Sequence, residues 1–219
     1  MSQTILMVVT SHGEIAPGLA TGVWFDEFAE PYDRFRKAGF EIKVASPRGG
    51  PVPLDPRSLE ASHPGATAGP GCHHRTGWRH ASRRLCGDLL PRRAWHHVRS
   101  AGESACAAPG GRISRARQGS GAVCHGPACL VGAMLADGRS AVQGRKVAAF
   151  TNSEEKAVQL DRAMPFLLQD KLQELGGTVD AAEDWADHVV VDGRLVTGQN
   201  PQSSRSVADA IVRLLRESA

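Results

Sequence analysis

Apolar residues recur with two different periods along the chain, and each period predicts one kind of element. Residues 4–10 form a continuous apolar and β-branched run, which is typical of a strand buried on both faces of a parallel sheet. Residues 23–37 carry aromatic side chains three or four positions apart, namely Trp24, Phe28, Tyr32 and Phe35. This spacing predicts an amphipathic helix, which Gly39 ends. Residues 40–45 then predict a second strand, and the proline-rich residues 46–56 an extended loop.

The C-terminal part of the chain continues this alternation of strands and helices. Its pattern predicts a helix at 126–135, a strand at 146–150, a helix at 164–175 ended by Gly176-Gly177, and a helix at 201–215. Two apolar runs, 188–191 and 195–197, flank Asp192-Gly193, which predicts a β-hairpin. Strands that alternate with helices predict an α/β fold, with a mostly parallel central sheet covered by helices on both faces.

The length of 219 residues fits one domain spanning 1–219 with a well-buried core. The N-terminal apolar run is short and follows no basic stretch, so we expect neither a secretory signal nor a membrane span. The five cysteines lack the paired spacing of a disulfide framework or a zinc site, which favours free thiols in a reducing compartment. We therefore expect a soluble cytoplasmic protein that holds no metal.

Residues 61–120 differ in composition from the rest of the chain. They contain ten Arg, no Lys, no Phe and no Tyr, together with six of the nine His. The segment carries a net charge of +8, which leaves −5 for the rest of a chain whose total is +3. Because the basic character belongs to this one anomalous segment, it does not indicate a nucleic-acid-binding surface, and we expect no nucleic-acid partner.

The genetic code explains this composition better than the alternative, an Arg-rich disordered insertion. Read in the next frame with permitted codons, residues 83–97 become A-D-F-A-A-I-F-F-P-G-G-H-G-T-M, a buried strand followed by a glycine-rich turn. The same shift lets residues 117–120 read G-K-V-V, a strand that leads directly into Gly121. We therefore interpret about residues 61–120 as lying between two compensating frameshifts, from a sequencing error or a lesion in the gene.

Cys124 lies between an apolar run and Gly126-Pro127, which opens a helix. A cysteine at such a sharp turn has the position of a nucleophile elbow. Pro127 suits the first helical position, and the helix N-terminus favours a thiolate at Cys124. The backbone at His125 and Gly126 is a candidate oxyanion site, because the N–H of His125 can donate and Gly126 leaves room for a substrate. A lone cysteine is more often an inert buried side chain, so this prediction depends on its context.

Several short runs resemble one family in the order in which they occur. They are Leu6-Met7-Val8-Val9-Thr10-Ser11-His12, Thr21-Gly22-Val23-Trp24-Phe25-Asp26-Glu27, Ala45-Ser46-Pro47-Arg48-Gly49-Gly50 with Pro53-Leu54-Asp55-Pro56, Ala122-Val123-Cys124-His125-Gly126-Pro127-Ala128, Phe150-Thr151-Asn152-Ser153-Glu154-Glu155 and Asp192-Gly193-Arg194-Leu195-Val196-Thr197-Gly198-Gln199-Asn200-Pro201. These runs, within residues 1–60 and 121–219, resemble the ThiJ/PfpI superfamily and its branch of heat-shock-chaperone-like, glutathione-independent glyoxalases (glyoxalase III). The resemblance implies a flavodoxin-like three-layer α/β sandwich, and the decoded P-G-G-H-G-T-M resembles the family's oxyanion loop.

The resemblance also implies roles for individual residues. Cys124 matches the nucleophile, Glu27 the acid hydrogen-bonded to it, His125 the catalytic histidine, and Glu155 the acid that orients this histidine. Glu154 is adjacent to Glu155, so the sequence leaves open which of the two has that role. The implied substrate is a small 2-oxoaldehyde such as methylglyoxal, which the family converts to D-lactate without a cofactor.

Other functions for the same site stay open at this point. One is a cysteine peptidase or amidase of the PfpI type, which would use the same elbow on an acyl carbon. Another is a holdase chaperone or redox sensor, in which Cys124 is oxidised without turnover. Deglycase activity and a homodimer are further alternatives. His12 is a candidate for lining the pocket, and Cys129 is expected to pack in the core.

We expect the chain as written to be insoluble or inactive toward methylglyoxal, and a frame-restored chain, with residues 61–120 translated in the shifted frame, to be soluble and active. The written chain has Asp88 where the decoded strand is apolar, and Arg92-Arg93 where the decoded turn has two glycines. Burying an unpaired charge costs several kcal/mol, and losing one oxyanion donor slows a reaction about 10²–10³-fold. Methylglyoxal consumption by the two chains, side by side, measures the difference. A cooperative melt with turnover by the chain as written would contradict this prediction.

Overall fold

The computed structural model describes residues 3–62, 119–135 and 137–217. The segment interpreted as frameshifted lies outside the described residues from 63 to 118. The decoded strand, the decoded glycine-rich turn, and the Asp88 and Arg92-Arg93 positions belong to that part of the chain.

The N-terminal part forms a parallel strand pair joined by a helix. Strand β1 (Thr4–Val8) pairs in parallel with strand β4 (Glu41–Ala45), in a register that places Thr4 opposite Glu41. A small antiparallel hairpin, β2 (Glu14–Ala16) and β3 (Leu19–Ala20), precedes helix α1 (Phe25–Lys37). The helix ends as the sequence predicts, because Gly39 takes a left-handed backbone with φ of +90° just after it.

The expectation that β1 is buried on both faces is wrong. Ile5 and Met7 pack against Phe35 of α1 and against the C-terminal helix. Leu6, which points to the opposite face because side chains alternate along a strand, is 42% exposed. Among the described residues, only the Ile5 and Met7 face of this strand therefore packs in the core.

The remaining elements of the described chain are helix α2 (Pro56–Ser62), β5 (Ser120–Val123), β6 (Lys146–Val147), α3 (Asn152–Ala157), α4 (Leu168–Glu174), β7 (Thr178–Val179), β8 (Val189–Asp192), β9 (Leu195–Gly198) and α5 (Ser204–Arg216). Strands β5 and β9 pair in parallel, and β9 pairs with β8 in the predicted antiparallel hairpin. Strands β6 and β7 form a further parallel pair. The hairpin turns at Gly193, whose φ is +60°.

The predicted helix at 126–135 is wrong beyond its first turn. A 3-10 helix covers only Gly126–Leu130. The chain then folds back on itself, because the N–H of Leu135 donates to the carbonyl of Arg139 and the N–H of Ala141 donates to the carbonyl of Ala133. These bonds take the place of further helical turns.

Two other predicted elements are shorter than the apolar pattern indicates. Helix α4 begins at Leu168, not at residue 164, because a proline at Pro165 disfavours the helical backbone in the residue before it. Strand β6 ends at Val147, since the next N–H, that of Ala148, donates to the side chain of Thr197 at 2.8 Å.

The core consists of helix faces packed against strands, as an α/β fold requires. Leu168 and Leu172 of α4 pack with Val147 of β6, and Leu172 is fully buried. On the other side, Val207 and Ala210 of α5 pack on Val196 of β9. The result is a flavodoxin-like α/β fold. None of the helices in the described ranges combines the length and the apolar character that crossing a membrane requires.

Replacing Leu172 by Ala is expected to lower the free energy of unfolding by about 2–5 kcal/mol, the range for deleting a fully buried leucine side chain. The matched control is Leu6→Ala, because Leu6 is 42% exposed and its loss should cost less than about 1 kcal/mol. Chemical denaturation of the two variants measures both values. Similar losses for the two variants would contradict the burial difference between them.

Candidate active site

Cys124 follows β5 with a left-handed backbone, at φ of +59°. Its N–H donates to the carbonyl of Gly198 at 3.0 Å, and its own carbonyl accepts from the N–H of Phe150 at 3.0 Å. A non-glycine residue in this conformation costs about 1–3 kcal/mol, and the two flanking hydrogen bonds hold it there. The chain therefore makes a sharp turn where the sequence predicts a nucleophile elbow, and the thiol of Cys124 is buried.

Gly198 has to be a glycine because it packs closely against the next helix. A Cβ at this position would lie 2.5 Å from Cγ2 of Val207 and 2.8 Å from Cβ of Ser203. The absence of a side chain lets the end of β9 lie beside Cys124 while α5 packs against it. The sequence run around Gly198 therefore supports the elbow from the neighbouring strand.

The His125 ring lies between Cys124 and Glu155. Its Nδ1 is 3.3 Å from Sγ of Cys124, and its Nε2 is 2.7 Å from Oε2 of Glu155. A carboxylate oxygen accepts the Nε2–H, so this contact favours the tautomer in which Nδ1 is free to take a proton from the thiol. The ring also packs against Phe150, with centroids 4.5 Å apart. The three groups form a continuous path for a proton.

Glu154 and Glu155, which the sequence could not separate, occupy different environments. Glu155 contacts His125, whereas Glu154 is fully buried and accepts hydrogen bonds from five groups. These donors are the N–H and hydroxyl of Thr151, the N–H of Trp185, and the side-chain amides of Gln199 and Asn200, at 2.8 to 3.1 Å. Glu154 therefore holds three segments of the chain together, and Glu155 is the residue within reach of the imidazole.

Glu27 lies in the first turn of α1, and its side chain is hydrogen-bonded to Cys124. Burial raises the pKa of Glu27 from 4.5 to about 7, while the hydrogen bond to Cys124 and the charge of His125 act in the opposite direction. A carboxyl group with this pKa changes its protonation near neutral pH. It is therefore able to donate or accept a proton beside the sulfur.

The expectation that the helix N-terminus favours a thiolate at Cys124 is wrong. Burial raises the pKa of the Cys124 thiol well above its ordinary value, and the negative charge of Glu27 raises it further. The N–H of His125 donates to the sulfur and lowers the pKa, but by less. The helix that begins at Gly126 is a 3-10 helix of five residues, too short for a large dipole. The resting residue is therefore a thiol.

The candidate oxyanion groups lie at the start of this short helix. Gly126 is its first residue, so its N–H lies at the open N-terminal end, and Pro127, in the next position, has none to leave unpaired. The N–H of His125 is directed to the sulfur of its neighbour Cys124. The glycine-rich loop decoded from the shifted frame, which resembles the family's oxyanion loop, lies outside the described residues.

Cys124 opens into a cavity of about 440 Å³. Glu27, His125 and Phe150 contribute to its wall, as does His12, so the structure places His12 in the pocket. Sequence reasoning missed several further wall residues, among them Arg57 and Trp185. Neither belongs to a motif with recognisable spacing, and only the family-like runs around Pro53 and Glu154 could have drawn attention to their neighbourhoods.

Trp185 forms the aromatic side of this cavity. It has a left-handed backbone with φ of +65°, and the N–H of the same residue donates to Glu154 at 2.9 Å. Its ring packs edge-on against Phe150, with centroids 5.7 Å apart. Within the described parts of the chain, no cluster of His, Cys, Asp and Glu has the geometry to hold a metal ion.

Known proteins are similar to this chain in both sequence and fold. A glutathione-independent glyoxalase of Schizosaccharomyces pombe is 28% identical, over 96% of this chain and 95% of its own. The crystal structure of glyoxalase III from Candida albicans is 25% identical, with a TM-score of 0.73 over 97% of both chains. A ThiJ/PfpI domain protein of Brachyspira murdochii shows the same fold at 14% identity and a TM-score of 0.50, over 99% of this chain and 98% of its own. No family model matches the chain.

The homologues of this chain are thus glutathione-independent glyoxalases, and its structural neighbours include a ThiJ/PfpI domain protein. The resemblance drawn from short runs at both ends of the sequence is thereby confirmed. The roles of Cys124, His125, Glu27 and Glu155 stay predictions.

Replacing Glu27 by Gln is expected to remove one source of pH-dependent stability. Because the pKa of Glu27 rises from 4.5 to about 7 on folding, the folded state binds this proton more tightly than the unfolded chain does. The free energy of unfolding therefore falls as the pH rises across that window, and Gln removes this loss. The melting temperature of the variant, minus that of the native chain, should increase from about pH 4 to about pH 8.

The control for this measurement is Glu30→Gln, which removes an exposed carboxylate from the same helix. Its melting temperature, relative to the native chain, should change less across the same window than that of the Glu27 variant. A Glu27→Gln difference that stays constant with pH would show that the burial of this carboxyl has no energetic consequence.

Proposed function

We propose that the protein is a glutathione-independent glyoxalase, which converts a small 2-oxoaldehyde such as methylglyoxal to the 2-hydroxy acid, D-lactate, in the methylglyoxal case. One observation carries the proposal. Sγ of Cys124 lies 3.3 Å from Nδ1 of His125, whose Nε2 lies 2.7 Å from Glu155, on a left-handed cysteine that faces a cavity. The relatives named as glyoxalases support the choice of substrate class.

The first step forms a carbon–sulfur bond. His125 takes the thiol proton through Nδ1 as Sγ of Cys124 attacks the aldehyde carbon, C1. The electron pair of the C1 carbonyl moves to its oxygen, which takes the proton back from the imidazolium. The product is a hemithioacetal, and no charge remains.

The second step moves a hydrogen from C1 to C2. His125, held by Glu155, removes the proton from C1, and the electron pair forms a C1–C2 double bond while the C2 oxygen becomes anionic. The imidazolium of His125 then returns its proton to C2, and the proton of the C1 hydroxyl passes to the C2 oxygen, which gives a neutral thioester of the 2-hydroxy acid. Water then hydrolyses the thioester and restores the thiol. All these steps are proton transfers and additions, so they need no oxidant and no organic cofactor.

Glu27 supports this chemistry from the opposite side of the sulfur. With a pKa of about 7, part of the Glu27 population is protonated at neutral pH, and a protonated carboxyl donates to a sulfur that becomes negative. The proton of Glu27 thus compensates for the burial that makes a thiolate costly at Cys124.

The proposal places the reaction in the cytoplasm, because a nucleophilic thiol has to stay reduced. Neither Cys124 nor Cys129, the two cysteines in the described ranges, forms a disulfide. A homodimer and the absence of a nucleic-acid partner stay predictions.

Consumption of methylglyoxal and formation of D-lactate by the frame-restored chain, and by variants made in it, test the proposal. Cys124→Ala is expected to abolish turnover. Glu155→Gln is expected to lower kcat by about 10²–10⁴-fold with little change in melting temperature, since it weakens the hydrogen bond that orients His125.

The neighbouring Glu154→Gln is the matched control. It should lower the melting temperature, because an amide cannot accept all five hydrogen bonds made by Glu154.

Two outcomes would favour the alternative functions. Hydrolysis of a peptide or amide without lactate formation from methylglyoxal would indicate a PfpI-type hydrolase. Protection of unfolded client proteins that survives Cys124→Ala would indicate a chaperone function separate from this site.

A further inference from the structure

Arg57 lines the cavity that contains Cys124 and His125, and the reaction described above gives it no role. Among the wall residues in the described ranges it is the only Arg or Lys. The same wall carries four acidic side chains, Asp26, Glu27, Glu30 and Asp55. Among the described wall residues, Arg57 is therefore the one Arg or Lys side chain that can attract an anion into this cavity.

Asp55 holds the guanidinium of Arg57 in a fixed orientation. Its two carboxylate oxygens accept from Nε of Arg57 at 2.9 Å and from Nη2 at 2.5 Å. Asp55 is only 3% exposed, and it is held in turn by the hydroxyl of Thr21 at 3.0 Å. Burial acts to raise the pKa of Asp55, but the hydrogen bonds from Arg57 outweigh it and keep the pKa below its ordinary value. The pair is therefore fully ionised at neutral pH.

No described residue bonds to the remaining edge of the guanidinium. The side chain of Arg57 is 40% exposed, and its Nη1 has no hydrogen-bond partner among the described residues. The negative charge of Glu155 also acts on Arg57, which indicates that the guanidinium and the His125–Glu155 pair are near neighbours. A planar guanidinium fixed on one edge by a carboxylate presents its other edge to an oxyanion.

We propose that Arg57 is a specificity-determining residue that binds an anionic oxygen on the carbon next to the one that reacts with Cys124. In the reaction proposed above, on which this assignment of the oxygen rests, the C2 oxygen becomes negative when the proton leaves C1. Arg57 then stabilises a charge that appears only during the reaction. The anion subsite itself does not depend on that reaction.

Iodoacetate and iodoacetamide together test the subsite without any need for turnover. Both alkylate a thiol, and both place an oxygen on the carbon next to the one that bonds to sulfur, as in the reaction intermediate. In iodoacetate this group is an anion, whereas in iodoacetamide it is neutral. The ratio of the two alkylation rates at Cys124, measured by mass spectrometry of the peptide that contains it, reports the anion subsite. Dividing by the iodoacetamide rate removes changes in thiol reactivity.

Arg57→Met is expected to lower the ratio of the iodoacetate rate to the iodoacetamide rate by about tenfold, which corresponds to about 1.4 kcal/mol for one charge pair in a partly solvated cavity. Arg57→Lys keeps the charge and should retain most of the preference. The matched control is Arg139→Met. Arg139 makes the same pattern of bonds to an aspartate two residues earlier, Asp137, but it is exposed and lies outside the cavity wall. The ratio of the iodoacetate rate to the iodoacetamide rate in Arg139→Met should equal that of the native chain.

An unchanged ratio in Arg57→Met would overturn the proposal, as would a parallel fall in both alkylation rates or an equal effect of Arg139→Met. If Arg57→Met does not fold, the ratio of the two alkylation rates is measured in Arg57→Lys at increasing salt concentration. The preference for iodoacetate should then decrease, because salt screens an ionic subsite, and a ratio that does not change with salt would overturn the proposal. In the turnover assay, Arg57→Met should lower kcat more than it changes KM, because the bound charge exists only after binding. If Arg57→Met abolishes the iodoacetate preference in a frame-restored chain that has no glyoxalase activity, the proposed function is refuted and the anion subsite stands.

Discussion

The left-handed backbone of Cys124 is the constraint on which the candidate site depends. Side chains of a continuing strand would alternate across the sheet, whereas the turn at Cys124 directs Sγ into the cavity, within reach of Glu27 and His125. The conformation costs about 1–3 kcal/mol, so the surrounding structure has to enforce it. It does so through the hydrogen bonds to Gly198 and Phe150 on either side of the turn. Because these partners belong to β9 and to the segment after β6, the elbow requires that three parts of the chain pack correctly before the site exists.

Glu154 and Glu155 are adjacent in the chain but have different structural roles at the site around Cys124. Helix α3 begins with a capping box between Thr151 and Glu154, which fixes the backbone just before Glu155. The other oxygen of Glu154 accepts from Trp185, Gln199 and Asn200, and so it ties the aromatic wall of the cavity and the segment after β9 to the same helix. Neighbouring residues in a helix point about 100° apart, so Glu155 is directed toward His125 while Glu154 stays in the core. One short helix thus places a proton acceptor and anchors the surface against which the substrate would bind.

The sequence predicted the parts of this arrangement that follow from local pattern or from the order of short motifs. Helix α1, the β8–β9 hairpin and the elbow at Cys124 were predictable because periodicity, a glycine turn and a residue type at a strand end each carry local information. The 3-10 helix after Gly126 was not, because bonds between Leu135 and Arg139 replace further helical turns, and no propensity records them. The pKa of Cys124 was misjudged for the same reason: the helix start is visible in sequence, while the burial and the charge of Glu27 come from segments about a hundred residues away. Arg57 and Cys124 line the same cavity only because of the tertiary fold, so no spacing in the chain could reveal Arg57.

The charges in the cavity favour a reaction in which negative charge forms only after the substrate has bound. Because burial and the charge of Glu27 both raise the pKa of the Cys124 thiol, a free thiolate is disfavoured in the resting protein. The thiol becomes nucleophilic only when His125, at 3.3 Å, takes its proton, which happens together with attack on a bound carbonyl group. The anion on the neighbouring oxygen would then form in a wall where acids outnumber the one Arg of the described residues. Among the described wall residues, Arg57 is the only Arg or Lys that can stabilise such an anion. Charges therefore separate in this site only when a substrate with oxygens on two adjacent carbons is bound. A thiolate in an open cleft would react without such a substrate.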